Sequence, residues 1–214
     1  MTKTVRIGCA SAFWGDTSTA AAQLVRGAEL DYLVFDYLAE ITMSIMAGAR
    51  MKKPDDGYAR DFVEVLTPLL GELVAKNIRV ISNAGGVSPM ACAAALSAAC
   101  EQAGVQLKIA VLHGDNLQPK LGELVKAGTR EMFTGAPLPP FCVSVNAYLG
   151  APGIVAALEQ GADIVITGRV VDSAVVSAAL VHEFGWALDD WDRLGRGTAV
   201  GHLRERGVED PVLA

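Results

Sequence analysis

The stretch DIVITGRVVDSA at residues 163–174 combines a buried strand, a turn and the start of a helix. Its β-branched run over 164–167 predicts a buried strand, which stops at Gly168-Arg169, and a helix is expected to begin near Asp172. Arg169 and a helix N-terminus then meet just past the carboxyl end of a strand, where open α/β sheets hold ligands. Unpaired N–H groups and the positive end of the helix dipole favour an anion at such a corner. The stretch therefore predicts an α/β sheet with an anion-binding turn.

Strand-like and helix-like segments alternate on the N-terminal side of this stretch. Strands are predicted over 5–11, 31–37, 78–86, 107–115, 143–149 and 163–168. Helices are predicted over 18–27, 38–49, 89–103, 117–127 and 151–160, from the loop at 54–57 to residue 76, from 172 to 184, and again from 189. Alternation of this kind predicts a mostly parallel sheet with helices on both faces. Six strands fall short of the eight of a β/α barrel, which favours an open, doubly wound, Rossmann-like sheet; a partial β/α barrel is the alternative.

Length and composition restrict the class of protein. The 214 residues fit a single α/β domain over 1–214 with an ample core. The net charge of −6 and the lack of a basic stripe argue against a nucleic-acid partner. The N-terminus lacks a secretory apolar region, and the apolar runs are too short to cross a membrane, so a cytoplasmic protein without a membrane partner is expected.

The apolar content of 51% has two interpretations. A well-filled core is one, and a surface buried between subunits is the other; the second predicts a homo-oligomer. The four cysteines contain no Cys-x-x-Cys pair. Cys92 and Cys100, eight residues apart, are expected to face the core of one helix as free thiols rather than to form disulfides or a zinc site.

Polar side chains follow all six predicted strands. They are Ser11, Asp36, Asn83, Asp115 with Asn116, Asn146, and Arg169 with Asp172. Any one of them is explained by turn formation or helix capping. Because parallel strands end at a shared edge, the whole set predicts one cleft at that edge.

The charged members of this set are the candidate catalytic residues. Asp36 and Asp115 are suited to proton transfer or to a hard metal ion. Arg169 needs a partner, which Asp172 could supply as easily as an anionic ligand could. No metal ligands and no cofactor are predicted, and a divalent metal or a CoA-linked substrate stays compatible with the set.

Two further segments are candidates for substrate contacts. Gly85 and Gly86 in SNAGG either let backbone N–H groups approach a ligand or form a tight turn, and the sequence matches neither dinucleotide-binding nor P-loop patterns. Phe13 and Trp14 either wall an apolar pocket or plug the top of the core.

Histidine and serine motifs point to no standard hydrolase. His113 next to Gly114-Asp115 could form an acid–base pair, although a strand-end histidine bonded to backbone is the favoured interpretation. Neither G-x-S-x-G nor H-E-x-x-H occurs, which argues against serine-hydrolase and zinc-protease chemistry.

Six motifs in order and at the right spacing carry a family resemblance. They are SAFWGD (11–16), DYLVFDYLAE (31–40), SNAGG (82–86), VNAYLGA (145–151), GADIVITGRVVDSA (161–174) and HEFGW (182–186). Together they resemble the acyclic terpene utilisation family over roughly 5–205. The resemblance implies a catabolic protein from pathways that degrade branched isoprenoid acids, such as citronellate and geranylate, through acyl-CoA intermediates. It implies a pathway and no reaction mechanism.

The chain departs from the family pattern at three places. Gly114-Asp115-Asn116 stands where members usually carry Gly-Asp-Asp, and residues 133–138 stand where they often carry D-T-G-E-P-L. Both changes remove carboxylates and put a metal-dependent role of that loop in doubt. Members usually continue past the position of Ala214, so residues 1–214 are expected to be either the N-terminal part of a longer family architecture or a short member whose site another subunit completes.

The leading functional hypothesis is a lyase, hydratase or isomerase that acts on a carboxylate or an acyl-CoA. Arg169 would anchor the anionic group, and Asp36 or Asp115 would move a proton. Asn83 and Asn146 would polarise a carbonyl, with further substrate contacts from Ser11, Phe13, Trp14, Gly85, Gly86 and Asn116. The alternative is a non-catalytic binding or assembly subunit of such a pathway, which the missing carboxylates favour.

Overall fold

The computed structural model describes residues 3–209, with side chains over residues 3–203, and its centre is one parallel sheet. The strands are β1 (Ile7–Ser11), β2 (Tyr32–Phe35), β3 (Arg79–Ser82), β4 (Ile109–Leu112) and β5 (Ile164–Thr167). Their order is β1-β2-β3-β5-β4, and every pair is parallel. Since β1 and β4 are the two edges, the sheet is open rather than closed into a barrel. The predicted open α/β fold is confirmed.

Helices connect the strands and extend past the last one. They are α1 (Ala20–Gly27), α2 (Glu40–Lys52), α3 (Arg60–Leu66), α4 (Leu70–Lys76), α5 (Pro89–Ala103), α6 (Leu121–Lys126), α7 (Pro152–Glu159), α8 (Ala174–Phe184) and α9 (Trp191–Glu209). The single long helix predicted to residue 76 is divided by a 3₁₀ turn at Thr67–Leu69. Pro68 explains the division, because a proline inside a helix removes an N–H and crowds the preceding turn. Among residues 3–209, no helix has both the length and the apolar character needed to cross a bilayer.

Alternate residues of the strands face two separate cores. Leu33 and Phe35 of β2 pack on one face with helices α1 to α5. Tyr32 and Val34 pack on the other face with α7 and α8, against which Leu194 of α9 also lies. The connection that leaves β3 runs over the first face, and the connection that leaves its neighbour β5 runs over the second. The boundary between β3 and β5 is therefore a topological switch point, where doubly wound sheets open a crevice.

The segment predicted as a strand over 143–149 is outside the sheet, and that prediction is wrong. It crosses the carboxyl ends of β4 and β5 and is held there by four backbone bonds: Leu117 N–H to Val145 O (2.7 Å), Ala147 N–H to Asp115 O (2.7 Å), Leu149 N–H to Arg169 O (3.2 Å) and Val171 N–H to Leu149 O (2.8 Å). Its pairing consists of isolated bridges, Asn116 with Asn146 and Leu149 with Val170. The apolar–polar alternation does not match burial here, because Val143 is 50% exposed while Asn146 donates to the buried Asp115.

A braced turn precedes this crossing segment. The Glu131 carboxylate accepts from the backbone N–H groups of Phe133 and Thr134, and Arg130 donates to Gly135 O (2.8 Å). Met132 and Phe133 project from it with 84% and 86% of their surfaces exposed. The turn is thus locally ordered while it displays two large apolar side chains.

Helix α5 carries the two cysteines that the sequence assigns to the core. Cys92 and Cys100 are both buried, as predicted, and all four cysteines are free thiols. Burial raises the pKa of Cys92 to about 12, so this thiol stays protonated and inert. Ser88 precedes α5 as expected, but its hydroxyl donates to Asp56 O (2.7 Å) and does not cap the helix.

Candidate functional site

Buried polar side chains collect at the carboxyl edge of the sheet, and one candidate site residue belongs to each strand. These candidate residues are Ser11, Asp36, Asn83, Asp115 and Arg169, which follow or end β1, β2, β3, β4 and β5 in turn. Each is at most 4% exposed, although such residue types are normally found at the surface. Their burial requires internal partners, and these partners define two separate arrangements.

Asp36 and Asn83 form the first arrangement. Asn83 Nδ2 donates to Asp36 Oδ1 (2.5 Å), and Asn83 Oδ1 accepts from the Tyr37 N–H (2.7 Å). Ser11 holds the backbone of Asp36, because its backbone oxygen accepts from the Asp36 N–H (2.9 Å). The Ser11 hydroxyl donates to Phe13 O (2.8 Å). Both ends of the Asn83 amide are therefore engaged, which makes it a positioning residue for the Asp36 carboxyl group.

Arg169 is held mainly through one nitrogen. Nη1 donates to Leu38 O (2.9 Å), Val170 O (3.3 Å) and Asp172 Oδ1 (2.7 Å). Asp172, three residues away, thus supplies the internal partner that the sequence allowed. Within the part of the chain whose side chains are described, the buried Nε has no hydrogen-bond partner. Nη2 has a loose ion pair with Glu40, 3.7 Å from Oε1.

Tyr148 and Glu40 complete the surroundings of Arg169. The guanidinium carbon lies 4.0 Å from the centroid of the Tyr148 ring, a cation–π contact. The Tyr148 hydroxyl donates to Glu40, and this bond holds the pKa of the Glu40 carboxyl below its ordinary value. Sequence reasoning missed both residues as site members. Each belongs to a motif that was singled out, but nothing local indicates a contact between residues 108 positions apart.

These residues enclose a cavity of about 300 Å³, which we call the Arg169 pocket. It is lined by Ala12, Phe13, Asp36, Tyr37, Leu38, Ala39, Glu40, Tyr148, Arg169 and Asp172. Phe13 is half exposed at its border, as the pocket-wall interpretation requires. Trp14 lies elsewhere: its Nε1 donates to Asp61 Oδ1 (2.7 Å), and its ring packs on the first core as a plug.

Asp115 and Asn146 form the second arrangement. Asp115 Oδ2 accepts from Asn146 Nδ2 (2.8 Å) and from the Arg169 N–H (2.9 Å). Gly168 is required beside it, since a Cβ there would lie 2.5 Å from Asp115 Oδ1. Asn116 turns away, because its Oδ1 accepts from the Gln118 N–H (3.0 Å).

Asp115 borders a larger depression, which we call the Asp115 groove. It consists of two adjoining cavities of about 610 and 410 Å³ that share Arg50, Val87, Asn116 and Asn146. The other lining residues are Ala47, Met51, Pro54, Asp55, Gly86, Ser88, Pro89, Met90, Ala91, His113, Gly114, Asp115, Gln118, Pro119, Val143 and Ser144. Both volumes are in the range of small-molecule sites, about 300–1,000 Å³. Sequence reasoning missed the α2 wall of this groove, Ala47, Arg50 and Met51.

The two glycines of SNAGG serve the packing between β3 and β5. The Gly85 N–H donates to Thr167 O (3.1 Å), and a Cβ on Gly85 would lie 2.5 Å from that same oxygen. Gly86 has φ +51° and borders the Asp115 groove. The predicted cleft is thus two neighbouring cavities: Asp36, Arg169 and Asp172 border one, and Asp115, Asn116 and Asn146 border the other. Over residues 3–203, no three His, Cys, Asp or Glu side chains are placed to share a metal ion.

An open, doubly wound sheet with helices on both faces defines an α/β protein of the doubly wound class. Within that class the comparison of sequences gives a family. The sequence model of the acyclic terpene utilisation family protein AtuA matches residues 5–208, and the chain belongs to this family. Membership implies a role in the utilisation of acyclic terpenes. Comparisons with curated proteins and with solved structures found no match.

Proposed function

We propose that the chain is an enzyme of acyclic terpene catabolism, a lyase, hydratase or isomerase whose substrate is a branched carboxylate or its acyl-CoA. The Arg169 pocket would hold the carboxylate or the thioester carbonyl. The observation that carries this proposal is the Nε–Nη2 edge of a buried guanidinium, where Nε has no hydrogen-bond partner within the described side chains and Nη2 has a loose ion pair with the exposed Glu40. The family role in acyclic terpene utilisation supports the choice of a branched aliphatic acid.

The free edge of Arg169 suits a carboxylate. Two adjacent N–H groups match the two oxygens of a carboxylate in a bidentate pair. A buried N–H without a partner costs about 1–3 kcal/mol, which a bound oxygen would recover. A ligand carboxylate would displace the Glu40 carboxylate from Nη2, and the side chain of Glu40 is 82% exposed. Exposed ion pairs of this kind contribute about 0–1 kcal/mol, so displacing Glu40 costs little free energy.

Asp36 is the proton-transfer group that we assign to this pocket. Asn83 fixes the carboxyl group of Asp36. Asp36 borders the same cavity as Arg169. Asp36 would move a proton to or from the substrate, a role that contributes about 10²–10⁴-fold to rates.

The test is a calorimetric titration with dimethyloctanoic acid, a branched ten-carbon carboxylic acid. Arg169→Lys keeps a positive charge but loses the two-donor edge, and we expect affinity to fall at least tenfold, about 1.4 kcal/mol. Arg26→Lys is the matched control, since Arg26 pairs with the Glu72 carboxylate on the surface of α1. Equal affinity in Arg169→Lys and the parent protein would refute the anchor. For catalysis, Asp36→Asn should lower turnover of an acyl-CoA panel at least about a hundredfold.

A non-catalytic assembly subunit is the second candidate function. The observation that favours it is the exposure of Met132, Phe133 and Phe141, at 84%, 86% and 74%, around a braced turn. Large exposed apolar side chains in an ordered segment are typical of an interface. Native mass spectrometry should then show a homo-oligomer that Phe133→Ser dissociates. A monomeric parent protein contradicts that interface, and the absence of turnover with every acyl-CoA contradicts the enzyme.

A further inference from the structure

We infer that the Tyr148 hydroxyl binds the ligand carboxylate together with Arg169, and that Glu40 is an internal placeholder, a carboxylate that occupies this position until the ligand displaces it. The inference rests on the proposed function, because it takes the Arg169 pocket as the site of the ligand carboxylate. It gives a role to Tyr148, a residue of the VNAYLGA motif that the proposed function leaves unused.

The position of one glutamate oxygen carries the inference. Glu40 Oε1 accepts a hydrogen bond from the Tyr148 hydroxyl and lies 3.7 Å from Arg169 Nη2. A phenol on the crossing segment and a guanidinium at the end of β5 therefore converge on a single carboxylate oxygen. A ligand carboxylate has oxygens of the same kind, and charge-assisted hydrogen bonds to such oxygens are the strong ones. A ligand oxygen in the place of Glu40 Oε1 would meet both donors.

The two donors are held more firmly than the acceptor. Arg169 is buried, and its Nη1 bonds to three oxygens. The Tyr148 ring lies against the guanidinium, whose carbon is 4.0 Å from the ring centroid. Burial raises the pKa of the Tyr148 hydroxyl, so this group stays protonated and can donate at neutral pH. The side chain of Glu40 is 82% exposed by contrast, so the donors stay in place when Glu40 leaves.

Glu40 has a favourable place to go when it is displaced. It is the first residue of α2, so its charge lies at the N-terminus of that helix. The first N–H groups of a helix lack internal acceptors and carry partial positive charge, which stabilises a carboxylate nearby. The displaced carboxylate therefore stays in solvent at the start of α2, and the exchange needs a side-chain movement rather than an opening of the core.

A purely structural role of the Tyr148–Glu40 bond predicts the opposite response to mutation. If the bond served to fix the crossing segment to α2, removal of Glu40 would loosen the border of the pocket and weaken ligand binding. A placeholder competes with the ligand instead, and a site that is open for part of the time binds with an affinity reduced by that fraction. The direction of the change in affinity separates the two roles.

The experiment is a calorimetric titration of Glu40→Ala with dimethyloctanoic acid. We expect its affinity to be at least about threefold higher than that of the parent protein, because the competing carboxylate is gone. Glu72→Ala is the matched control, since it removes the same charge from another surface glutamate that pairs with an arginine, Arg26, and it should bind as the parent does.

A double variant tests the hydroxyl. Tyr148→Phe combined with Glu40→Ala should bind the acid about tenfold more weakly than Glu40→Ala alone, since a hydrogen bond to a charged group is lost. The inference is overturned if Glu40→Ala binds no more tightly than the parent protein, or if the double variant binds as tightly as Glu40→Ala.

Arg169→Lys separates this inference from the proposed function. Equal affinity in Arg169→Lys and the parent protein refutes the anchor. Weaker binding in Arg169→Lys without a gain in Glu40→Ala refutes the placeholder alone, and absence of binding to both the parent and Glu40→Ala refutes both. A circular dichroism spectrum of each variant confirms that it is folded before titration.

Discussion

Each cavity at the carboxyl edge contains an aspartate held by an asparagine, and the two pairs differ in what fixes the asparagine. Asp36 follows β2 and Asn83 follows the neighbouring strand β3. Phe35 pairs with Ser82 in the sheet, so the next residues, Asp36 and Asn83, lie side by side. Asn83 is also fully buried. Asn146 belongs to the crossing segment outside the sheet and is partly exposed. The same chemical pair is therefore rigid in one cavity and adaptable in the other.

This difference indicates a division of roles along one edge. Reacting groups must be held within a fraction of an ångström, and residues on strand ends meet that requirement better than loop residues do. Loops tolerate change and set which ligands fit. The Arg169 pocket lies next to the fully buried pair, and the Asp115 groove lies next to the partly exposed one.

The largest effect is expected at Gly85, which packs between β3 and β5. In Gly85→Ala the new Cβ would lie 2.5 Å from the backbone oxygen of Thr167 and 2.6 Å from Pro89, so β3 and β5 must separate. We expect the free energy of unfolding to fall by about 3 kcal/mol or more. Urea denaturation measures it. Gly153→Ala is the control, because its Cβ also meets an atom at 2.5 Å, the flexible tip of Leu112. Equal stability of the two variants would mean that the strands are not tied together at Gly85.

The next effect compares the two asparagines directly. Asn83→Ala removes the donor to Asp36 and leaves the buried Tyr37 N–H without its acceptor. A buried polar group left unpaired costs about 1–3 kcal/mol, so we expect a loss near 2 kcal/mol. Asn146→Ala should cost less than about 1 kcal/mol, since solvent reaches its site. Thermal and urea unfolding of both variants provide the measurement, and a larger loss for Asn146→Ala would reverse the assignment of rigid and adaptable pairs.

The smallest effect is a pH dependence at the border of the Arg169 pocket. The Tyr148 hydrogen bond lowers the pKa of Glu40 in the folded protein. A lowered folded pKa stabilises above the ordinary glutamate pKa of about 4.3, and this stabilisation is lost as the pH falls through the lower folded value. Glu40 is largely exposed, so solvent screening limits the contribution to about 0.5 kcal/mol.

Tyr148→Phe tests this dependence because it keeps the ring beneath the guanidinium and removes only the hydroxyl. Near neutral pH the unfolding free energy of Tyr148→Phe should be lower than that of the parent protein. In acid the two unfolding free energies should approach each other. Glu40→Gln should abolish the same dependence. A difference between Tyr148→Phe and the parent that stays constant from neutral to acid pH would show that the hydroxyl acts through something other than the Glu40 charge.

Much of this edge could be predicted because parallel strands end on the same side. Asp36, Asn83, Asp115 and Arg169 each follow an apolar run, and the sequence alone placed them together. The pairing of Arg169 with Asp172 was also foreseeable, since three residues separate them at the start of a helical segment.

The remainder depends on contacts that no local pattern encodes. The alternation in 143–149 predicts a strand equally well whether the segment joins the sheet or crosses over its end. The crossing segment then brings Tyr148 to Glu40 and Asn146 to Asp115. Because those contacts were unknown, one cleft was expected where the structure has two cavities.

The walls of the Asp115 groove have a consequence for how this protein can change over time. Met51 and Val143 are surface side chains, and neither belongs to the two cores of the sheet. Substitutions of these exposed side chains alter the shape of the groove at almost no cost in folding free energy. The groove can therefore change by mutation while the buried hydrogen bonds around Asp36 and Arg169 stay as they are.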